Sequence, residues 1–224
     1  MSGDFPDDPR APVFFLSYAR PRRVNVPVAR PTRLEDRRVE RLFKDLTELV
    51  NELVPLPAGR DPGFMDRQLA GGELWEEELL RAVGTCQVFI CLLSPRYLND
   101  SEWCAMEWDV FSRRKRVRRA DGATGGNETN IVPVLWAPIV DKIPDDVNAV
   151  TRFSPRDMPD PAYESAYEDN GVFGLLTQHQ NDAYEAFVWK LALHVQRLNA
   201  GYYVEPKVPK NTKGLRKSFG EEAK

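Results

Sequence analysis

The segment Cys86-Gln87-Val88-Phe89-Ile90-Cys91-Leu92-Leu93-Ser94 constrains the fold more than any other. Val88 to Leu93 is unbroken apolar sequence. A strand with one solvated face alternates apolar and polar residues, whereas a strand covered on both faces does not. The run is far shorter than the roughly 20 residues of a membrane helix. It therefore predicts a central strand of a sheet with layers packed on both sides.

The flanking sequence supplies those layers. Val13-Phe14-Phe15-Leu16-Ser17-Tyr18-Ala19 reads as a first strand. Val39, Leu42, Phe43, Leu46, Leu49, Val50 and Leu53 recur in steps of three and four, which places them on one helical face. Thr32-Arg33-Leu34-Glu35 has the pattern of a capping box, and Val54-Pro55 ends the helix. Gly63 to Asp66 predicts a short buried strand. Glu73, Glu76, Glu77 and Glu78 crowd the start of a second helix, where the dipole favours anions, and Gly84 suits its C′ position. A third helix is expected from Ser101 to Arg119. Ile131 to Trp136 predicts a fourth strand, with Pro133 marking an irregularity or a place outside the central ladder. A short fifth strand is expected near Gly171 to Leu176, and a last helix from Asp182 to Leu198. Alternating strands and helices imply an α/β fold, a parallel sheet with helices on both faces. Ligands in such sheets sit beyond the C-terminal strand ends.

The chain has 224 residues, about one and a half domains' worth. Residues 1–12 and 205–224 are polar and aperiodic. They are expected to be a disordered N-terminus and a disordered tail or linker around one domain at 13–204. The acidic N-terminus lacks the apolar core of a secretory signal, and Cys86, Cys91 and Cys104 lack metal-type spacing. Both point to a cytoplasmic protein with reduced thiols and no membrane association. The net charge of −3 argues against a nucleic-acid partner. With only His179 and His194 present, histidine triads and zinc sites are disfavoured, and no metal is expected. No glycine-rich phosphate loop follows a strand. Arg113 to Arg119 holds six basic residues in seven, read as a solvated helix end.

One constellation stands out. In Ser101-Glu102-Trp103-Cys104-Ala105-Met106-Glu107-Trp108, Trp103 and Glu107 are four apart and share a helix face that Val110 and Phe111 continue. Glu107 therefore falls on the apolar stripe, while Glu102 and Asp109 point elsewhere. A carboxylate in that position is costly unless it is paired, protonated or lining a cavity. It is a functional-site candidate, and spacing alone leaves open a structural pairing with a backbone amide or an arginine.

The blocks FFLSYA, FMDRQLAGGELWEEELLRAV, VFICLLSPRYLNDSEWCAMEW and IVPVLW, in that order, resemble a bacterial-type Toll/interleukin-1 receptor (TIR) domain over about residues 13–200. FFLSYAR, GFMDR and CLLSPRY are similar to a TIR-like group associated with actinobacterial FxSxx peptide-maturation clusters. The resemblance implies a flavodoxin-like fold with a five-stranded parallel sheet. It implies one of two activities: cleavage of NAD as a substrate at its nicotinamide–ribose bond, or a non-enzymatic scaffold serving an operon-encoded protein partner. It also implies homotypic self-association through the Asp66–Trp75 loop, with no cofactor needed. The W-x-x-x-E of the NAD-cleaving members matches Trp103 to Glu107, so Glu107 is the implied catalytic residue. Phe14, Ser17, Tyr18, Ala19 and Arg20 lie where the family meets the nucleotide. Arg20 is the donor a phosphate would meet there, or else a solvated arginine of the run Arg20-Pro21-Arg22-Arg23. Asp66, Arg67, Trp75 and Trp103 are counted with the substrate-binding residues; Asp66 and Arg67 also suit an internal ion pair, Trp75 suits packing, and Trp103 suits either a core aromatic or a wall for the reactive end.

Overall fold

A computed structural model describes residues 10–20, 34–66, 74–119 and 129–220. The strands are β1 (Phe14–Tyr18), β2 (Gly63–Met65), β3 (Val88–Leu93), β4 (Arg116–Arg118), β5 (Ile131–Leu135) and β6 (Tyr202–Val204). The helices are α1 (Leu34–Leu53), α2 (Leu74–Thr85), α3 (Pro95–Asn99), α4 (Glu102–Ser112), α5 (Asp145–Asn148), α6 (Pro161–Thr177) and α7 (Asn181–Gly201). The central sheet is parallel in the order β2-β1-β3-β5, with β1 and β3 inside. Because the chain departs to one side of β1 for β2 and to the other for β3, the switch point lies at the C-terminal ends of β1 and β3.

All six residues of β3 are buried, as their unbroken apolar run requires. Phe14, Leu16, Ile90, Leu92, Val132 and Val134 face one core layer, closed by α1, α6 and α7. Phe15, Phe89, Cys91 and Leu93 face the other, closed by α2 and α4. Cys86, Cys91 and Cys104 are buried and free, and burial pushes the Cys86 thiol up to about 11. Pro133, opposite Cys91, sits on the edge strand β5, where its missing N–H costs no ladder bond; its carbonyl accepts from Phe153 N at 2.8 Å.

Three expectations change. Among the described residues the parallel sheet has four strands, not five. Gly171 to Leu176 belongs to α6. A short apolar run fits a buried helix as well as a strand. Gly171 breaks α6 with φ 64° and ψ 175°, and a Cβ there would lie 2.6 Å from the Trp136 carbonyl oxygen. Second, the basic run is not a helix end. α4 stops at Ser112, and Arg116–Arg118 pairs antiparallel with Tyr202–Val204. Arg114 is buried and donates to the carbonyls of Val83, Cys86, Val204 and Glu205 at 2.7–3.1 Å.

Third, residues 205–220 are not a disordered tail but lie along α2 and α4. Lys207 N donates to the Gly84 carbonyl at 2.8 Å, and Arg216 pairs with Asp146. Phe219 stacks on Tyr97 and meets Trp108 edge-on, at ring distances of 5.5 and 5.9 Å. Gly84 itself lies within α2 rather than beyond it. A Cβ there would meet Lys207 O and Val208 Cα at 2.9 Å, so the glycine is the seat of the tail. Asp109, which the spacing turns away from the Glu107 stripe, is enclosed there. It is 1% exposed and accepts from Arg113 and, at 3.0 Å, from the tail amide of Arg216. The capping box at Thr32 lies outside the described residues.

Candidate functional site

Three short stretches deliver the site. In β1, Phe15 and Ser17 face the α4 layer, so Ser17 is the polar residue that ends an otherwise apolar face. After β3, Ser94 caps α3 by accepting from Tyr97 N at 3.2 Å, with Pro95 in the first turn. That turn sets the fully buried Tyr97 hydroxyl 3.0 Å from Ser17 Oγ. Ser101 then caps α4 through Cys104 N, and two turns later Glu107 points back at the sheet.

Ser17 Oγ donates to Glu107 Oε2 at 2.5 Å. Glu107 is 4% exposed, and burial pushes its carboxyl up to about 8, against the opposing hydrogen bond from Ser17. The charge of Asp66 pushes the same way and that of Arg20 pulls back. The residue is thus mainly protonated at neutral pH, a poised acid in a core layer.

A second cluster adjoins it. Asp66 forms an ion pair with Arg20 and accepts from Trp75 Nε1 at 2.6 Å. Its backbone carbonyl accepts from Tyr18 Oη at 3.3 Å and Arg20 at 3.2 Å. Burial raises the Asp66 carboxyl, and the Trp75 and Arg20 contacts oppose that rise. Trp75 carries Arg20 on its ring at 5.5 Å and meets Trp103 edge-on at 4.8 Å. Ser17, Tyr18, Arg20, Asp66, Trp75, Trp103 and Glu107 therefore form one neighbourhood at the switch point, with Ala19 packed beside it.

Phe14 does not join it. Its ring is fully enclosed on the opposite face of β1, against Phe43 at 5.8 Å. Arg67 lies outside the described residues, and the aspartate partner expected for it is engaged by Arg20. Tyr97 escaped the sequence reading; Ser94-Pro95 directly after a strand was the signal that a helix starts there. Two cavities, of about 730 and 320 Å³, lie along β5 and include none of these residues. Among the described residues no cluster of three or more His, Cys, Asp or Glu is placed to hold a metal ion.

A family model described as "TIR domain" matches residues 14–169, most of the chain. The chain belongs to the TIR domain family. No curated protein and no solved structure matches it. The match begins at β1 and runs into α6, so this TIR domain holds both Ser17 and Glu107 within the family's span. Among the described residues no helix of the TIR domain is long and apolar enough to cross a membrane.

Proposed function

We propose that this TIR domain hydrolyses the nicotinamide–ribosyl bond of NAD, with Glu107 as the catalytic carboxylate. The observation that carries the reading is a buried glutamate at the switch point, held by the Ser17 hydroxyl at 2.5 Å and standing in W-x-x-x-E.

The chemistry asks for a single carboxylate. Glycosidases need two because an alkoxide leaving group must be protonated. The nicotinamide of NAD is already cationic and leaves neutral when the ribosyl C–N bond breaks, taking the bond pair. Positive charge then develops on the ribose. An anionic Glu107 stabilises it and accepts from the ribose hydroxyls, most strongly in the transition state. Water adds to the sugar carbon and loses a proton, giving ADP-ribose. A carboxyl pushed up to about 8 suits this role: arrival of a cationic ring favours its ionised form, so substrate binding itself generates the anion. Ser17 keeps the carboxylate aimed. Trp103 and Trp75 wall the ring end, and Arg20, beside Asp66, is the donor nearest a phosphate. TIR domains commonly self-associate, and we place activation in assembly through the 66–75 segment.

The test is nicotinamide release from NAD by the purified protein, alone and after forced clustering. Release that is lost in Glu107→Ala supports the proposal. No release in either state, or release indifferent to Glu107→Ala, overturns it. The rival reading, a non-enzymatic interaction module, draws on one observation: at 4% exposure and with a hydrogen bond, Glu107 is satisfied as a core residue. That reading predicts no turnover with partner binding unchanged in the same variant.

A further inference from the structure

We propose that Tyr97 is a positioning residue for Glu107: its hydroxyl donates to Ser17 Oγ and so commits the Ser17 proton to the carboxylate. The two bonds form one chain, Tyr97 to Ser17 at 3.0 Å and Ser17 to Glu107 Oε2 at 2.5 Å.

Proton count sets the direction of this chain. A serine hydroxyl has one proton to give, and its oxygen can also accept. An ionised carboxylate only accepts, so the Ser17 proton lies on the Glu107 side. Ser17 Oγ then offers Tyr97 a lone pair and nothing else, and the phenol is the donor. Burial, followed by the neighbouring Cys91, Cys104 and Glu107, raises the Tyr97 pKa well above the usual phenol range. The phenol therefore stays protonated wherever Glu107 titrates. At 0% exposure it touches no ligand, so it holds its proton rather than passing it on.

The ring is aimed from two sides. α3 is only five residues long, and Ser94 and Pro95 fix its start. Phe219 lies against the ring at 5.5 Å, with the planes 28° apart. Backbone and packing together keep the hydroxyl on Ser17.

Other groups act on Glu107 in a different way. Asp66, after β2, and Arg20, after β1, reach it through their charges. Cys91 on β3 and Cys104 on α4 adjoin Tyr97, and burial raises both thiols, so they stay neutral. Tyr97 carries no charge and works through one hydroxyl. Hydrogen bonds in a chain polarise one another, and a chain that ends on an anion favours the anion. Tyr97 thus increases the ionised fraction of Glu107. The consequence for rate rests on the NAD-cleavage reading; the effect on the carboxyl does not.

The test is an infrared titration of the full chain. The band of the protonated acid is assigned to Glu107 by its loss in Glu107→Gln, and its midpoint should lie at about 8. Tyr97→Phe removes the hydroxyl and keeps the ring. It should raise the midpoint by roughly half a unit to one unit. A 3-fluorotyrosine at position 97, a stronger donor of nearly the same size, should lower it. Ser17→Ala combined with Tyr97→Phe should titrate as Ser17→Ala alone, because Tyr97 acts only through Ser17. Several results overturn the proposal: no band that Glu107→Gln removes, an unmoved midpoint in Tyr97→Phe, shifts of the same sign in the two ring variants, or a Tyr97 effect that survives without Ser17. Where NAD is cleaved, the pH limb of kcat/KM should move with the midpoint. Shifts of the midpoint without any cleavage keep the role of Tyr97 and discard only the NAD reading.

Discussion

The Ser17 hydroxyl reaches from the end of β1 to Glu107 Oε2 on α4, 90 residues away in sequence. It is the hydrogen bond that opposes the burial of that carboxyl. A hydrogen bond to a charged group contributes about 1.5–3 kcal/mol, and one pKa unit corresponds to about 1.4 kcal/mol. Ser17→Ala should therefore move the Glu107 pKa upward by about one to two units. The proposed NAD cleavage needs the anion, so its kcat/KM should rise with pH to a plateau above about 8 in the parent. In Ser17→Ala the same limb should lie at higher pH, with most activity lost at pH 7 and regained at high pH. A uniform loss at every pH would show that Ser17 acts only by packing.

The same carboxyl makes folding stability depend on pH. Its ordinary value of 4.5 rises to about 8 in the folded chain. Between those values the native state holds a proton that the unfolded state has released. Stability from this group is therefore complete below about 4.5 and is lost as pH rises through about 8. The loss is on the order of a few kcal/mol. Glu107→Gln cannot ionise and should flatten that part of the curve. Urea unfolding at pH 5.5 and 8.5 checks this. An unchanged difference between the two pH values in Glu107→Gln would assign the pH dependence to other groups.

The sequence made β1, β3, α1 and α7 legible because burial on two faces or on one helical stripe leaves an unmistakable apolar pattern. The same logic placed Glu107, a charge on an apolar stripe. It failed at Gly171 to Leu176, where a run that short has no period to read. It turned Asp109 away from the Glu107 stripe but was silent on what meets it there. The actual neighbours of Asp109 are Arg113 and the backbone at Arg216, about 100 residues downstream. A helix enclosed on all sides, as Cys104 to Phe111 is, conceals its polar contacts from periodicity. The tail carried no signal for a related reason. It docks through backbone amides, the Arg216–Asp146 ion pair, one phenylalanine and a glycine groove, none of which makes a repeat. Phe14 misled in the opposite sense: it neighbours the site in sequence, but strand alternation turns it to the other face.

Arg114 shows how a charge run hides one structural member. Its guanidinium ties the ends of α2 and β6 to the turn after α4 through four carbonyls. Burial pulls its pKa down, yet the group retains its charge. Arg114→Met should strand those carbonyls and cost about 3 kcal/mol or more. For a chain of this size that lowers the melting temperature by roughly 6–12 °C. Arg114→Lys should recover only part, since an ammonium has three donors and no planar fork. Arg116→Ala and Arg118→Ala, both exposed, should cost no more than about 1 kcal/mol, Arg116 losing its stacking on the Tyr202 ring. Equal losses at all three positions would contradict the structural assignment.

Gly84 gives the sharpest test of the docked tail, because helix propensity and packing there have opposite signs. In an exposed helix interior, Gly→Ala stabilises by about 1 kcal/mol. Here the added methyl would meet backbone atoms of Lys207 and Val208 at 2.9 Å, and backbone cannot yield as a side chain can. Gly84→Ala should therefore lengthen or break the bond from Lys207 N to the Gly84 carbonyl. The net effect should be destabilising in the full chain, and stabilising in a chain ended after Glu205. Phe219→Ala should weaken the same docking by removing the ring from Tyr97 and Trp108, at about 1–3 kcal/mol for a half-buried aromatic. Amide exchange at Lys207 and Arg216 reports both variants directly: each should exchange faster while the amides of β3 remain protected. Gly84→Ala stabilising the full chain would mean that the tail does not lie on α2.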